Sequence, residues 1–448
     1  MPSIPFGRSS YERSEGNLPE LPVINMYAEQ APTEKTGVVL QSRNGLDDRG
    51  ADMGAGPVEQ LFQRDGVLAG ALFGVSGGRL YSGATSLGAI TGSGAVSIIG
   101  NEVGLMATAG ASLHYYNGTT LAAVAFPDSA SVSKVLVGGS RFIALRAGTG
   151  QFYWTPALGT TFGGLDFATA ETSPDGLLDA LFIDDILILF GGETVEYWPN
   201  TGSAVLPFQP LEGRVIEKGI KATGCATAYG PTFAWVTNEN KVCMQDENTV
   251  LSNAGLQAKI EASTDVRLFT FLIDGEEFLA LRLDNETQIW KGGIWSEFAS
   301  NGQDNWIAQC AADGVFGSAV DGKTLAFNAA YSDLGGVLER RFRAGTPIDA
   351  GGVIIGNMGL RCNPGQTPFL TGDYADPTVE MRLSRDAGQT WGSWRGVSLG
   401  EMGKYRTKVQ WRSCGMASQP ALLAEFRVTD TVAFRVSDVL INEPYGGR

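Results

Sequence analysis

The stretch Phe182 to Gly202, FIDDILILFGGETVEYWPNTG, decides the reading of the fold. Ile186-Leu187-Ile188-Leu189-Phe190 is a continuous apolar run, and Thr194-Val195-Glu196-Tyr197-Trp198 is a second run of β-branched and aromatic residues. Gly191-Gly192-Glu193 joins them. Two such runs across a short glycine-containing turn make a β-hairpin. A lone hairpin is marginal in water, so its apolar faces need neighbours of the same kind. Tyr197 and Trp198 are expected to pack between such neighbours. Glu196, on the alternating face, is open to solvent, a neighbouring subunit or a channel.

The neighbours are present in the chain. Hairpins of the same plan are predicted at 72–81, 105–116, 142–154, 186–198, 233–244, 278–290 and 315–327. Their second strands carry Tyr81, Tyr116, Tyr153, Trp198, Met244, Trp290 and Phe327, spaced 35, 37, 45, 46, 46 and 37 residues apart. A period of this length, with strands and mostly an aromatic in each repeat, is the mark of a β-propeller. The expected fold is therefore all-β: a β-propeller of six or seven blades with an extended N-terminal arm and a smaller C-terminal β region. A β-sandwich of unrelated hairpins is the competing architecture.

Three segments follow. Residues 1–56 hold Pro2, Pro5, Pro19, Pro22 and Pro32 and read as an extended arm making subunit contacts, with one strand near 22–27. A disordered leader is the alternative. On the arm reading, removing residues 1 to about 40 is expected to impair assembly and spare the propeller. Residues 57–336 are the propeller body. Residues 337–448 have longer alternating strands and form a β region that either closes the ring or stands as a small domain.

Composition limits the function. The 448 residues carry a net charge of −15. The charge is uneven: 19 Lys/Arg against 37 Asp/Glu before residue 337, and 14 against 11 from there on. A protein that coats DNA needs a cationic surplus, so the acidic body argues against that role. One histidine, His114, leaves little room for histidine metal sites or Ser-His triads. Five scattered cysteines without a CxxC pair read as structural thiols. No apolar segment reaches membrane-spanning length, and MPSIPFGRSS has no secretory apolar core. The chain is expected to fold in the cytoplasm of its host, without inserting into a membrane.

The motifs are structural. Ser384-Arg385-Asp386-Ala387-Gly388-Gln389-Thr390-Trp391 matches the S-x-D-x-G-x-T-W pattern of an Asp-box. There Asp386 hydrogen-bonds the turn, Gly388 supplies positive φ and Trp391 packs beneath. Asp-boxes recur on sialidase propellers, which brings in a glycosidase reading. Glycoside hydrolysis needs two carboxylates at a set separation, whereas the neighbours in Asp184-Asp185 and Glu276-Glu277 point to opposite faces of a strand. Tyr153-Trp154, Tyr197-Trp198, Trp391 and Trp394 read as blade core over sugar platforms. Arg340, Arg341, Arg343, Lys404, Arg406, Lys408 and Arg412 form a basic set that suits an acidic partner, the chain's own acidic body, or DNA.

Gly77-Gly78-Arg79-Leu80-Tyr81 with Gly92-Ser93-Gly94 resembles the first-blade motif of the packaged-DNA stabilisation proteins of short-tailed bacteriophages. Ser173-Pro174-Asp175-Gly176 leading into 186–202, and Glu217-Lys218-Gly219-Ile220 ending near Cys225, are similar to later segments of that family. The likeness is good over about 70–250 and looser elsewhere. It implies a tail hub, or nozzle, in the virion tail, assembled in the host cytoplasm. In such a tail a ring of six copies sits below the portal and adaptor proteins, extends the DNA channel and retains packaged DNA. It passes DNA during ejection without specific binding and offers surfaces to the tail needle and to tailspikes or fibres. It implies no enzyme, no catalytic, cofactor-binding or metal residues and no cofactor. A glycosidase or glycan-binding tail protein acting on the host surface is the alternative.

Overall fold

A computed structural model describes residues 4–7, 10, 21–31, 37–170, 173, 175–347, 352–417 and 421–442. All seven predicted hairpins are present; five are the middle of a four-stranded antiparallel sheet, the fifth forms the last two strands of a three-stranded one, and the sixth lies in four antiparallel strands that run on into a larger sheet. Blades 1 to 7 occupy 58–89, 97–124, 132–169, 177–216, 226–244, 267–298 and 308–327. Six of the seven have four strands, while blade 5 has three. After blade 5 comes a helix, Ala254–Ala262, capped by Asn253, whose side-chain oxygen accepts from the Leu256 amide at 2.9 Å.

The first strands of successive blades lie side by side, and Ala308–Ala312 of blade 7 returns against Val58–Phe62 of blade 1. The apolar clusters follow this order. Phe73 and Leu105 share a cluster between blades 1 and 2, Phe142 and Met106 between 2 and 3, and Phe152 and Leu187 between 3 and 4. Phe190, Trp235 and Leu279 join blades 4, 5 and 6; Phe271 and Phe316 join 6 and 7; Val58 and Val315 join 7 and 1. Both faces of each blade's second strand are covered, which is why the runs read as continuous apolar segments. The period-2 pattern of a half-exposed sheet is absent there.

The ring is a seven-bladed propeller, and an N-terminal strand closes it. Four strands open the described chain: β1 (Val23–Ile24), β2 (Met26–Gln30), β3 (Val38–Ser42) and β4 (Leu46–Asp52). β4 pairs antiparallel with Lys323–Phe327 and is the outermost strand of blade 7. A final strand contributed from the other end of the sequence holds a propeller shut by backbone hydrogen bonds, so no blade is left unpaired at the seam.

The C-terminal region does not close the ring. It builds a β-sandwich whose two sheets face each other across Met26, Phe342, Met358, Met381, Trp411, Phe426 and Val436. One sheet contains β1, Arg340–Pro347, Ala421–Val428, Thr378–Ser384 and Arg395–Ser398; β1 also meets Ile294–Phe298 of blade 6 in parallel. The other contains β2, β3, Arg435–Ile441, Val353–Cys362 and Val409–Ala417. The segment read as an extended arm making subunit contacts therefore supplies strands to the sandwich and to blade 7. Residues 4–7 lie on the sandwich too: the Ile4 amide donates to the Val439 carbonyl at 3.0 Å, and Phe6 bridges to Ala344. Pro2, Pro19, Pro32 and Pro174 fall outside the described residues.

Candidate functional site

Three places concentrate polar chemistry: the bore of the propeller, the outer face of one sandwich sheet, and the Asp-box.

The bore is a cavity of about 510 Å3 walled by six of the blades and by the segment 93–96 that leads into blade 2; Glu59, Lys134, Asp265, Arg267 and Gln309 line it. Its charges are largely paired. Lys134 Nζ lies 2.8 Å from Asp179 Oδ1, and Asp179 is fully buried. The same carboxylate accepts from the Gly224 amide at 2.7 Å, so one side chain ties blades 3, 4 and the entry to blade 5. Arg267 Nε lies 2.9 Å from Asp265 Oδ1. Burial raises the Glu59 carboxyl above its ordinary value, against the pull of the Arg267 guanidinium. Arg282 donates to the carbonyl oxygens of Trp306 at 2.6 Å and Ala308 at 3.2 Å, fastening blade 6 to blade 7. These polar groups hold the ring together.

On the sandwich, Glu425 is fully buried beneath arginines. Arg343 Nε is 2.8 Å from its Oε1, and Arg382 Nε is 2.5 Å from its Oε2. Arg427 Nε pairs with Glu380 at 2.6 Å, and Arg341 Nε lies 3.5 Å from Glu339. Arg382 stands 4.8 Å from the Trp391 ring and 4.5 Å from Trp394; Arg427 stands 4.1 Å from Trp394. The outward residues of three adjacent strands thus form an ion-pair lattice capped by two indoles. Arg340 is buried among the carbonyls of Val428, Asp430 and Val432, and burial brings its pKa down to about 10. Arg340 and Arg343 are therefore bonded within the sandwich itself, whereas Arg341 has the longer approach to Glu339, and its Nε finds no hydrogen-bond acceptor among the described residues.

The Asp-box forms as its spacing predicts, on the sandwich and not on the propeller. Asp386 Oδ1 accepts from the Thr390 amide at 2.8 Å and from Ser384 Oγ at 2.7 Å. Gly388 has φ +96°, and its carbonyl accepts from Trp391 Nε1 at 3.1 Å. These bonds hold the Asp386 carboxyl down at about 2. Every oxygen of that carboxylate works for its own turn.

The remaining candidates disperse. Asp184 and Asp185 sit at a turn with φ 47° and 64°, and Asp185 accepts from Asn200 at 3.1 Å. Glu277 accepts from the Gly230 amide at 2.6 Å. Tyr153, Trp154, Tyr197 and Trp198 are buried in the clusters between blades. Glu196 is largely buried, accepts from Trp198 Nε1 at 2.9 Å and lines a cleft with Glu212 and Arg214. His114 lies in blade 2, its pKa lowered by burial. The five cysteines are free, and burial pushes the thiols of Cys225, Cys310 and Cys362 up to about 12. Among the described residues no cluster of His, Cys, Asp and Glu could hold a metal, and no helix is long and apolar enough to cross a membrane.

Asp179, Arg282 and Glu425 were missed by the sequence reading. Their signal is a single charged residue inside an apolar strand, as in Leu177-Leu178-Asp179-Ala180-Leu181, Phe278-Leu279-Ala280-Leu281-Arg282 and Ala421-Leu422-Leu423-Ala424-Glu425-Phe426.

Such a chain is a β-propeller closed by its own N-terminal strand and joined to a β-sandwich, with its interior charges committed to structure. The family model described as bacteriophage P22 Gp10, β-propeller, matches residues 3–305, and that described as bacteriophage P22 Gp10, β-sandwich, matches residues 346–442. The chain belongs to the bacteriophage P22 Gp10 family. It is similar to the tail hub protein gp10 of Salmonella phage P22, at 28% identity over 188 residues. That alignment spans 38% of this chain and 39% of the phage P22 protein. Among solved structures, BamB from Moraxella catarrhalis aligns with TM-score 0.34 and 14% identity over 68% of this chain and 94% of its own. The computationally designed protein Ika8 aligns with TM-score 0.40 and 12% identity over 72% of this chain and all of its own.

Proposed function

We propose that this protein is a structural component of a phage virion, the hub of a short tail, and that it works as a ring of several copies, six by the family resemblance. The observation that carries the reading is the family match across both the propeller and the sandwich. The committed interior charges favour a scaffold over an enzyme.

The bore bears on where DNA passes. A duplex has a major groove about 12 Å wide and 8.5 Å deep; it cannot thread a cavity of about 510 Å3. A DNA channel in this tail therefore runs between copies, past their outer surfaces. With a net charge of −15, such surfaces repel phosphates and let DNA slide. We place the ring below the portal and its adaptor proteins, with the tail needle and tailspikes or fibres as further neighbours. There it retains packaged DNA and releases it at ejection. The described part of the N-terminal segment is used inside the chain, so we place further subunit contacts on the propeller and sandwich surfaces.

The test is a phage lacking this gene product. Heads are expected to fill and then lose their DNA, and the tail is expected to lack its hub ring in particle images. Filled particles that keep their DNA and carry complete tails overturn the reading.

A further inference from the structure

The basic set Arg340, Arg341, Arg343, Lys404, Arg406, Lys408 and Arg412 is partly taken up by the chain itself, Arg412 included, and Arg361, Arg382 and Arg427 are further cations of the sandwich. Arg340, Arg341, Arg343, Arg382 and Arg427 are held within the sandwich, and Lys404 pairs with Glu401 at 3.0 Å. Arg361, Arg406 and Lys408 have no ion pair or side-chain hydrogen bond among the described residues, and all three are exposed. They line one cleft of about 240 Å3 on the sandwich, floored by Leu360 and Leu440. Tyr405, 64% exposed, also lines it.

We propose that this cleft receives the acidic propeller of a second copy of the chain and is one side of the ring's repeating contact. The proposal rests on the ring reading above. A ring closes by a head-to-tail contact between two different surfaces of the same chain. Residues 57–336, the propeller body, carry 29 acidic against 14 basic side chains, so two propellers brought together repel. The cleft offers three uncommitted cations to that surface. Complementary charge of this kind speeds encounter and fixes register. Tyr and Arg are also residue types that protein interfaces favour. DNA suits the cleft less: a duplex approaching it meets the repulsion of the whole acidic body, whereas a carboxylate surface is supplied by every neighbouring copy.

The experiment uses assembled tails. A carbodiimide joins the Lys408 amine directly to a carboxylate it touches, and peptide mapping on tails built from mixed 15N-labelled and unlabelled chains separates links between copies from links within one. The expected result is a link between copies from Lys408 to an Asp or Glu before residue 337. A variant carrying Arg361→Glu, Arg406→Glu and Lys408→Glu is expected to melt as the parent does and to enter rings at least tenfold less well. Rings that form equally well from the variant, or a Lys408 that links only to another protein, overturn the cleft and leave the ring reading standing. Rings that form normally from the variant but lose DNA in a gel shift make the cleft a DNA site and also overturn the proposal. Tails holding this protein as a single copy remove the ring reading, and the cleft falls with it.

Discussion

Arg43 and Asp333 form a fully enclosed bidentate ion pair: Nη2 lies 2.6 Å from Oδ2 and Nη1 lies 3.1 Å from Oδ1. The two side chains are 0% and 2% exposed. Arg43 sits between β3, in the sandwich, and β4, in blade 7. Its other donors reach Asn25 Oδ1 at 2.8 Å and the Ala299 carbonyl at 2.8 Å, and Asp333 also accepts from the Leu46 amide at 2.9 Å. The pair marks the point where the chain leaves the sandwich to close the propeller. Removing one member of such a pair strands a buried charge and costs about 3–5 kcal/mol. Arg43→Ala is expected to lower unfolding stability by that amount, read from the urea midpoint and slope. Arg43→Lys should recover less than half, because an ammonium cannot span both oxygens and the two further acceptors. The double change Arg43→Met with Asp333→Asn should be milder than Arg43→Ala alone.

The strand assignments of the N-terminal segment set two truncations apart. A chain beginning at residue 41 keeps β4, so blade 7 stays zipped, but it removes Val23, Met26, Ala28 and Leu40 from the sandwich core. A chain beginning at residue 56 also removes β4 and opens the ring at Lys323–Phe327. The first is expected to melt its sandwich early with the propeller intact, giving two separated transitions in calorimetry. The second is expected to lose the propeller transition as well. Equal behaviour of the two chains would show that β4 does not close the ring.

The repeats were legible because each blade's middle hairpin is covered on both faces and joined by a tight turn, so short apolar runs and turn residues recur at a near-constant interval. Ile186–Gly191 and Val195–Pro199 are the clearest case. The outer strands were not legible. Leu121–Val124 is largely exposed, and β4, with the sequence LDDRGAD, has one buried residue in seven. β4 pairs with a strand about 270 residues away, and nothing in either segment names the other. The Asp-box could be read because its bonds are local, from Ser384 to Trp391. The lattice around Glu425 could not, because Arg343 and Arg382 reach it from strands 82 and 43 residues away.

The Asp-box carries a pH signature. The Asp386 carboxyl titrates at about 2 in the folded protein against an ordinary 3.8, because Thr390 and Ser384 hydrogen-bond its charged form. A group depressed on folding stabilises the fold above its unfolded value, and that contribution is lost as pH falls through the folded value. Asp386→Asn removes the charge at every pH. The melting-temperature gap between parent and variant is therefore expected to be full above pH 4 and to close between pH 4 and 2. A gap that stays constant across that range would show that the charge of Asp386 contributes nothing to the turn.

Glu425 is the counter-charge for its face of the sandwich, and its loss should be felt by residues that never touch it. Its carboxylate is fully buried, while Arg343 and Arg382 are 19% and 23% exposed. Breaking a buried pair costs about 3–5 kcal/mol; since water reaches both arginines, Glu425→Ala is expected near the lower end of that range. Glu425→Gln keeps the volume and one acceptor and should cost less than Ala. Arg382 also stacks on Trp391 and Trp394, so an arginine freed from Glu425 alters the surroundings of both indoles. Tryptophan fluorescence of the folded Glu425→Ala protein should shift, and the shift should vanish in a background where Trp391 and Trp394 are both replaced by Phe. A loss of stability with unchanged fluorescence would mean that the indoles are positioned by their own turn, independently of the ion pairs beneath them.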